Sequence, residues 1–275
     1  MSAPHPAGNA AIDDESVLLE HLDGGVLTLT MNRPDRRNAL NPALLSRLQT
    51  ALQRAASDRD VRAIVLTGAG QAFSAGGDVK AMAGGAFDAT LEERVRSLRE
   101  RMESARLLHQ MPKPTIAVIR GAAAGAGLSL ALACDFRLAT PDAKITTAFA
   151  KVGLSGDFGG SFFLTQLVGS AKARELYLLS PLLSGQQAFE AGLVTRVIPG
   201  DRIDTESAAF ARDLANGPTI TLGYIKKNIN LAEHASLEAV FDAEALHHSR
   251  CGQTEDHREA SRAFVEKRPP AFRGA

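Results

Sequence analysis

Twice the chain runs from a short apolar stretch straight into glycine-rich sequence. Ala63–Thr67 leads into Gly68–Asp78, and Thr115–Ile119 leads into Gly121-Ala122-Ala123-Ala124-Gly125-Ala126-Gly127. Runs this apolar, without polar alternation, read as strands buried on both faces. The small residues at their exits let backbone N–H groups approach a ligand, or a helix, with no side chain in between. Ligand-binding loop and tight turn against a helix both fit each segment taken alone.

The remaining pattern extends this plan. Val17–Glu20 and Val26–Thr30 are β-rich and joined through Asp23-Gly24-Gly25, a hairpin signal. Asn41-Pro42 opens a helix that carries Leu44, Leu45, Leu48 and Leu52 on one face. A charged helix over about 91–110, a helix after 127, a strand near Phe136–Ala139 and a last one near Val194–Ile198 complete a repeated β-β-α plan. The fold class is α/β, with no internal sequence repeat. From Asp201 the β signals stop, and helices are expected over 203–215, 219–231, 236–250 and 255–267, with a break at Gly217-Pro218 and a stop at Pro269-Pro270. The resulting division is a disordered lead-in over 1–15, a core over 16–200 and a helical region over 201–275. That last region should pack on the core or on another subunit.

Charge and cysteine usage exclude several classes. With 31 Lys+Arg against 31 Asp+Glu the formal net charge is +0, so general attraction to nucleic-acid backbones or anionic lipid is not expected. The longest uncharged apolar-rich run, Gly121–Cys134, falls short of the roughly 20 residues that span a bilayer. Cys134 and Cys251 lie far apart in unlike surroundings, which argues against a disulfide framework and for a reducing, cytoplasmic location. The N-terminal residues lack the basic start and apolar stretch of a signal peptide. His247 and His248 are adjacent rather than four apart on one helical face, so no metal site is expected.

A set of ordered motifs carries more. Asn32-Arg33-Pro34 and Asn38-Ala39-Leu40, then AFSAGGDVK at 72–80, KPTIAVIRGAAAGAGLSLALACDFRLA at 113–139, VGLSGDFGGSFFL at 152–164 and finally Phe264–Arg268 resemble the enoyl-CoA hydratase/isomerase (crotonase) family in order and spacing. The match covers nearly all of the chain after residue 15. The resemblance implies a crotonase-like spiral of β-β-α turns with a C-terminal helical oligomerisation tail, assembled as a homotrimer or a dimer of trimers. It implies an acyl-CoA thioester as substrate, with coenzyme A part of that substrate and no separate cofactor. The thioester oxygen would lie between backbone N–H donors at Gly77 and Ala126, the latter opening a helix whose dipole favours negative charge. Such donors stabilise an enolate oxyanion by about 3 kcal/mol each. By the same resemblance Asn38, Ala39, Ala75, Gly76, Asp78, Val79 and Lys80 line the acyl-CoA site. Asp78 would also cap the helix that follows it. Lys80 and Arg33 meet CoA phosphates or are solvated charges. Phe264 and Lys267 meet the adenine and phosphate ends of CoA, or serve helix packing and solvation.

The resemblance matches the two glutamates of the family's hydratases to Ser129 and Phe149, neither of which is an acid. Asp157 remains, at a position similar to that of the aspartate in isomerases of the phenylacetate-degradation type and of the nucleophile in the family's dehalogenases. A single carboxylate suits isomerisation, because it can take a proton from one carbon and return it two carbons away without water. Asp157 could also cap the helix expected near Phe158-Gly159, and the two roles are compatible. The expected function is therefore enoyl-CoA double-bond isomerisation with Asp157, Gly77 and Ala126 as catalytic groups. A hydratase of fatty-acid oxidation and a non-catalytic acyl-CoA binder remain as alternatives. Gly121-x-x-x-Gly125-x-Gly127 also resembles the cofactor loop of short-chain dehydrogenases. The Lys those enzymes need four residues after Tyr is replaced by Pro181 after Tyr177 and Asn228 after Tyr224.

Overall fold

The computed structural model of the chain describes residues 15–78 and 90–275. β1 (Leu18–Asp23) and β2 (Val26–Met31) form an antiparallel hairpin in which Asp23 faces Val26. The turn needs left-handed backbone at Gly24 and Gly25 (φ 52° and 79°), which glycine adopts without strain. α1 (Pro42–Ser57) starts where the Asn41 side chain accepts the Leu44 N–H at 2.9 Å, with Pro42 in the first turn, and it buries the expected leucine face.

β3 (Ala63–Gly68) pairs parallel with β2, β5 (Thr115–Ile119) with β3, β7 (Phe136–Ala139) with β5 and β10 (Arg196–Val197) with β7. The order is β1-β2-β3-β5-β7-β10. A second sheet of β4 (Ala72–Ser74), β6 (Ala122–Ala124), β8 (Lys144–Thr146) and β9 (Leu183–Ser184) runs in the order β4-β6-β8-β9. The glycine-rich segments are thus not loops throughout: each contributes a three-residue strand to the smaller sheet. The pairs β3/β4, β5/β6 and β7/β8 each leave one strand in either sheet, whereas β1 and β2 both join the larger one.

Helices fill both sides of the large sheet. Leu29, Met31, Ile64, Leu66, Ala117 and Ile119 point into the main core with α1. The alternate residues Val26, Val65, Ile116, Val118 and Leu138 form a second cluster with Ile203, Ala211 and Ala215 of α7 (Ile203–Ala215). The first helix of the C-terminal region is therefore a layer of the α/β body.

The expected helix over 91–110 is two, α2 (Leu91–Arg101) and α3 (Glu103–Gln110), joined at Met102, which keeps near-helical angles (φ −66°, ψ −12°). α4 (Ala126–Leu132) is buried at every position, and α5 (Gly160–Leu179) bends at Gly169. α6 (Gly185–Glu190) carries a capping box of Ser184 and Gln187. α8 (Thr219–Ala232) is clipped to the body by Lys226, whose buried Nζ donates to the Leu108 carbonyl and the Asp135 carboxylate, both at 2.8 Å, and to the Lys113 carbonyl at 3.2 Å. α9 (Leu237–Cys251) and α10 (Glu255–Glu266) follow, leaving Phe241, Leu246 and Phe264 exposed. Both cysteines are free. Among the described residues no helix is long and apolar enough to cross a membrane, and no cluster of three or more His, Cys, Asp or Glu side chains is arranged to hold a metal.

Candidate active site

The segment carrying Gly77 is fixed from below by Asn38. That side chain is fully buried, donates to the Ala69 and Ala72 carbonyls at 2.9 and 2.7 Å, and accepts the Arg33 N–H at 2.9 Å. Ser74 Oγ donates to the Asn38 carbonyl at 2.8 Å and accepts the Gly76 N–H at 3.2 Å. Ala75 N–H reaches the Arg37 carbonyl at 2.9 Å, Leu40 N–H reaches the Gly76 carbonyl at 2.8 Å, and Gly77 bridges to Leu40 beside buried Ala39. Residues 75–77 are therefore held along 37–40 rather than left as a mobile loop.

The second segment comes up against the first at Gly76. Its φ is 85°, and a Cβ there would lie 2.5 Å from the Ala124 carbonyl oxygen and 3.3 Å from the Ala126 nitrogen. Only a residue without a side chain lets the two strand exits meet this closely. Ala126 is the first residue of α4. No side chain caps that helix, so its first N–H groups have no intrahelical acceptor. The structure thus brings together the two segments expected to carry the donors.

Asp78 pairs with Arg33 at 3.5 Å, and Arg33 also donates to the Ala39 carbonyl. Arg33 is accordingly tied into the site's frame rather than freely solvated. Val79, Lys80 and the helix expected after Asp78 lie outside the described residues.

Asp157, Ser129 and Phe149 are gathered around a residue not anticipated as part of the site, Tyr177. Ser129 is buried on α4 and donates to the Gly125 carbonyl at 3.3 Å. The Tyr177 hydroxyl, from α5, is hydrogen-bonded to Ser129. The Phe149 and Tyr177 rings stack in parallel, 5.9 Å between centroids and 3° between planes, and the edge of Phe149 lies next to Gly125. Tyr177 thus links Phe149, beside the start of α4, to Ser129 and Asp157.

Asp157 does not cap the helix that follows it. The N-cap of α5 is Gly159 (φ 72°), with no side-chain cap bond, and Asp157 gives only its main-chain carbonyl to the Gly160 N–H at 3.0 Å. Phe158 and Gly159 are both left-handed, which turns the backbone too sharply for a carboxylate at 157 to cap in the usual way. Its Oδ1 is instead buried without a hydrogen-bond partner. Burial pushes this carboxyl up to about 6. Burial, followed by the charge of Asp157, pushes Tyr177 up to about 12, with the Ser129 hydrogen bond opposing, so the phenol stays protonated at neutral pH. A carboxylate tuned near neutrality both accepts and returns a proton readily.

A cavity of about 1040 Å³ opens beside Phe158 and Gly159, the residues after Asp157, and is walled by Phe162, Phe163, Met102 and Leu231 among others. His109 and Glu233 face each other across it at 3.4 Å. Burial lowers the first and raises the second, favouring the neutral form of each. Phe264 and Lys267 stand apart: Phe264 is 85% exposed on α10, and Lys267 is the left-handed C-cap of that helix.

The profile of a family described as enoyl-CoA hydratase/isomerase matches residues 21–275. The chain is 37% identical over 257 residues to 1,2-epoxyphenylacetyl-CoA isomerase of Escherichia coli (strain K12), covering 94% of this chain and 98% of that protein. Among solved structures, an enoyl-CoA hydratase from Polaromonas sp. JS666 superposes with a TM-score of 0.88 at 33% identity, covering 93% of this chain and 99% of that one. An enoyl-CoA hydratase from Bacillus anthracis gives 0.88 at 30% identity, with 94% and 100% covered.

Proposed function

The chain belongs to the enoyl-CoA hydratase/isomerase family and is an acyl-CoA enzyme with the crotonase fold, and from that premise we propose that it moves the double bond of an enoyl-CoA thioester with Asp157 as its proton carrier. The thioester oxygen sits between the Gly77 and Ala126 N–H groups. The ionised Asp157 takes a proton from the allylic carbon next to the double bond. The released electron pair spreads through the dienolate onto the thioester oxygen, where the two N–H donors stabilise it. The same carboxyl then returns the proton to the other end of the allylic system, which restores the carboxylate and leaves the double bond shifted. No water is consumed, and no cofactor is required beyond the CoA thioester itself.

The observation that carries this reading is the Asp157 carboxyl, half-buried, raised to about 6 and unpaired at Oδ1, next to the Ser129, Tyr177 and Phe149 side chains. The similarity to a relative named as an isomerase of an acyl-CoA supports it further. Lys80, Phe264 and Lys267 are assigned to the CoA moiety, and the exposure of Phe264 suits contact with a neighbouring subunit's ligand.

The test is the Asp157→Asn variant supplied with a 3-enoyl-CoA, following the conjugated 2-enoyl product. Turnover should fall by about 10²–10⁴-fold while acyl-CoA still binds. Migration at the wild-type rate removes Asp157 from the mechanism. Rapid hydration of 2-enoyl-CoA by the wild type, unaffected by the substitution, makes the enzyme a hydratase instead.

A further inference from the structure

An enoyl thioester held next to a base has two fates: its proton moves along the chain, or water adds to its β-carbon. Which fate wins depends on whether a water molecule can be held beside the base. Such a water needs room and two to four polar partners. One side chain, Tyr177, crowds the chain on either side of Asp157. The Tyr177 ring is stacked parallel to Phe149 and lies against the Asp157 segment, so that a Cβ on Gly156 would come 3.0 Å from its Cε1. Its hydroxyl fills the gap between α4 and α5. A Cβ on Gly160 would sit 2.5 Å from the Tyr177 oxygen and closer still to Ser129 Oγ.

The polar groups nearest the carboxyl are also already engaged. Ser129 gives its proton to the Gly125 carbonyl, and the Ser129 and Tyr177 hydroxyls crowd the same gap beside Gly160. We infer that Tyr177 is the specificity-determining residue of the site: its ring occupies the volume in which a nucleophilic water would stand beside Asp157, and so commits the bound enoyl thioester to double-bond migration. The inference rests on the isomerase reading above and adds what that reading leaves open, namely why water does not compete. When the ring is removed the balance changes: a water whose proton passes to Asp157 forms a C–O bond at the β-carbon. The enolate then takes that proton at the α-carbon, giving the 3-hydroxyacyl thioester.

The test compares wild type, Tyr177→Phe, Tyr177→Leu and Tyr177→Ala on 2-enoyl- and 3-enoyl-CoA in ¹⁸O-labelled water, measuring labelled 3-hydroxyacyl-CoA against shifted-bond product. Tyr177→Phe keeps the ring and should keep the wild-type product ratio at whatever rate it retains. Tyr177→Ala should raise the hydrated fraction relative to migration by at least about tenfold, equivalent to roughly 1.4 kcal/mol between the two barriers. Tyr177→Leu preserves the apolar contact on α5 and vacates only the far half of the ring, so it should shift the ratio the same way by less. It decides the matter if the alanine variant does not fold. An unchanged ratio in a folded alanine or leucine variant overturns the inference while leaving the isomerase reading intact. An equal shift in Tyr177→Phe also overturns it, because the hydroxyl rather than the ring would then be excluding water. A wild type that hydrates as fast as it isomerises overturns both.

Discussion

At the residue scale the raised pKa of Asp157 fixes the sign of two effects. Its carboxyl moves from 3.8 to about 6 because burial disfavours the charge. As the base it must start ionised, so kcat/KM should fall as pH drops below about 6, approaching tenfold per unit. For stability the sign is opposite. The folded state holds this proton more tightly than the unfolded chain, so the favourable contribution is present below 3.8 and is lost as pH rises through about 6. Asp157→Asn should accordingly melt higher than wild type at pH 7 and lose that advantage near pH 4, which thermal scans at the two pH values would check. An advantage that grows on acidification contradicts the burial argument. The acid itself was legible in the sequence through its motif, but its surroundings were not. Sequence gives no sign that Phe158 adopts φ 50°, the geometry that takes the carboxylate away from a capping role. Tyr177 has no local pattern that marks it, because it meets Ser129 where two helices come together and Asp157 from twenty residues along the chain.

At the element scale, α4 does most to define the site, because its first residue carries the expected oxyanion donor while Ser129, a turn further on, faces α5. Ala126 occupies the first helical position, where proline is tolerated, so Ala126→Pro deletes the N–H while leaving the helix able to form. Turnover should drop by about 10²–10³-fold with circular dichroism unchanged. Full activity in a folded variant would put the thioester oxygen elsewhere. The larger sheet was readable because Ala63–Thr67 and Thr115–Ile119 are long enough and apolar enough to show themselves. The smaller sheet was not. A strand of three alanines, Ala122–Ala124, has no periodicity to detect, and the glycines around it read as loop because glycine marks both close approach and turns. The 91–110 helix was located correctly and read as unbroken, since nothing in its charged sequence marks the joint at Met102.

At the scale of the whole molecule, the C-terminal helices do two different things. α7 covers the outer face of the large sheet, and α8 is fastened by Lys226, whereas α9 and α10 present Phe241, Leu246, Phe264 and Val265 to solvent, with exposures of 50–85%. So much exposed apolar surface on consecutive helices fits a subunit interface. We expect sedimentation at micromolar concentration to give a trimer or a pair of trimers, and a clean monomer would remove the basis for Phe264 and Lys267 reaching CoA on a neighbour. Sequence located the change to an all-helical region but not which of its helices packs on the core, because a strand buried on both faces does not reveal which later segment covers its second face.

That second face also bears on how the protein is made. Val26, Val65, Ile116, Val118 and Leu138 are in place once β7 has formed, but the helix that covers them begins only at Ile203. During synthesis the first 200 residues therefore emerge able to build the sheet and the catalytic segments, while one side of that sheet stays bare until a further stretch of chain has cleared the ribosome. The interval is one in which the nascent chain exposes a flat, β-branched surface that is prone to self-association. The body that carries the catalytic segments is thus closed by α7, a helix that contributes no residue to the chemistry.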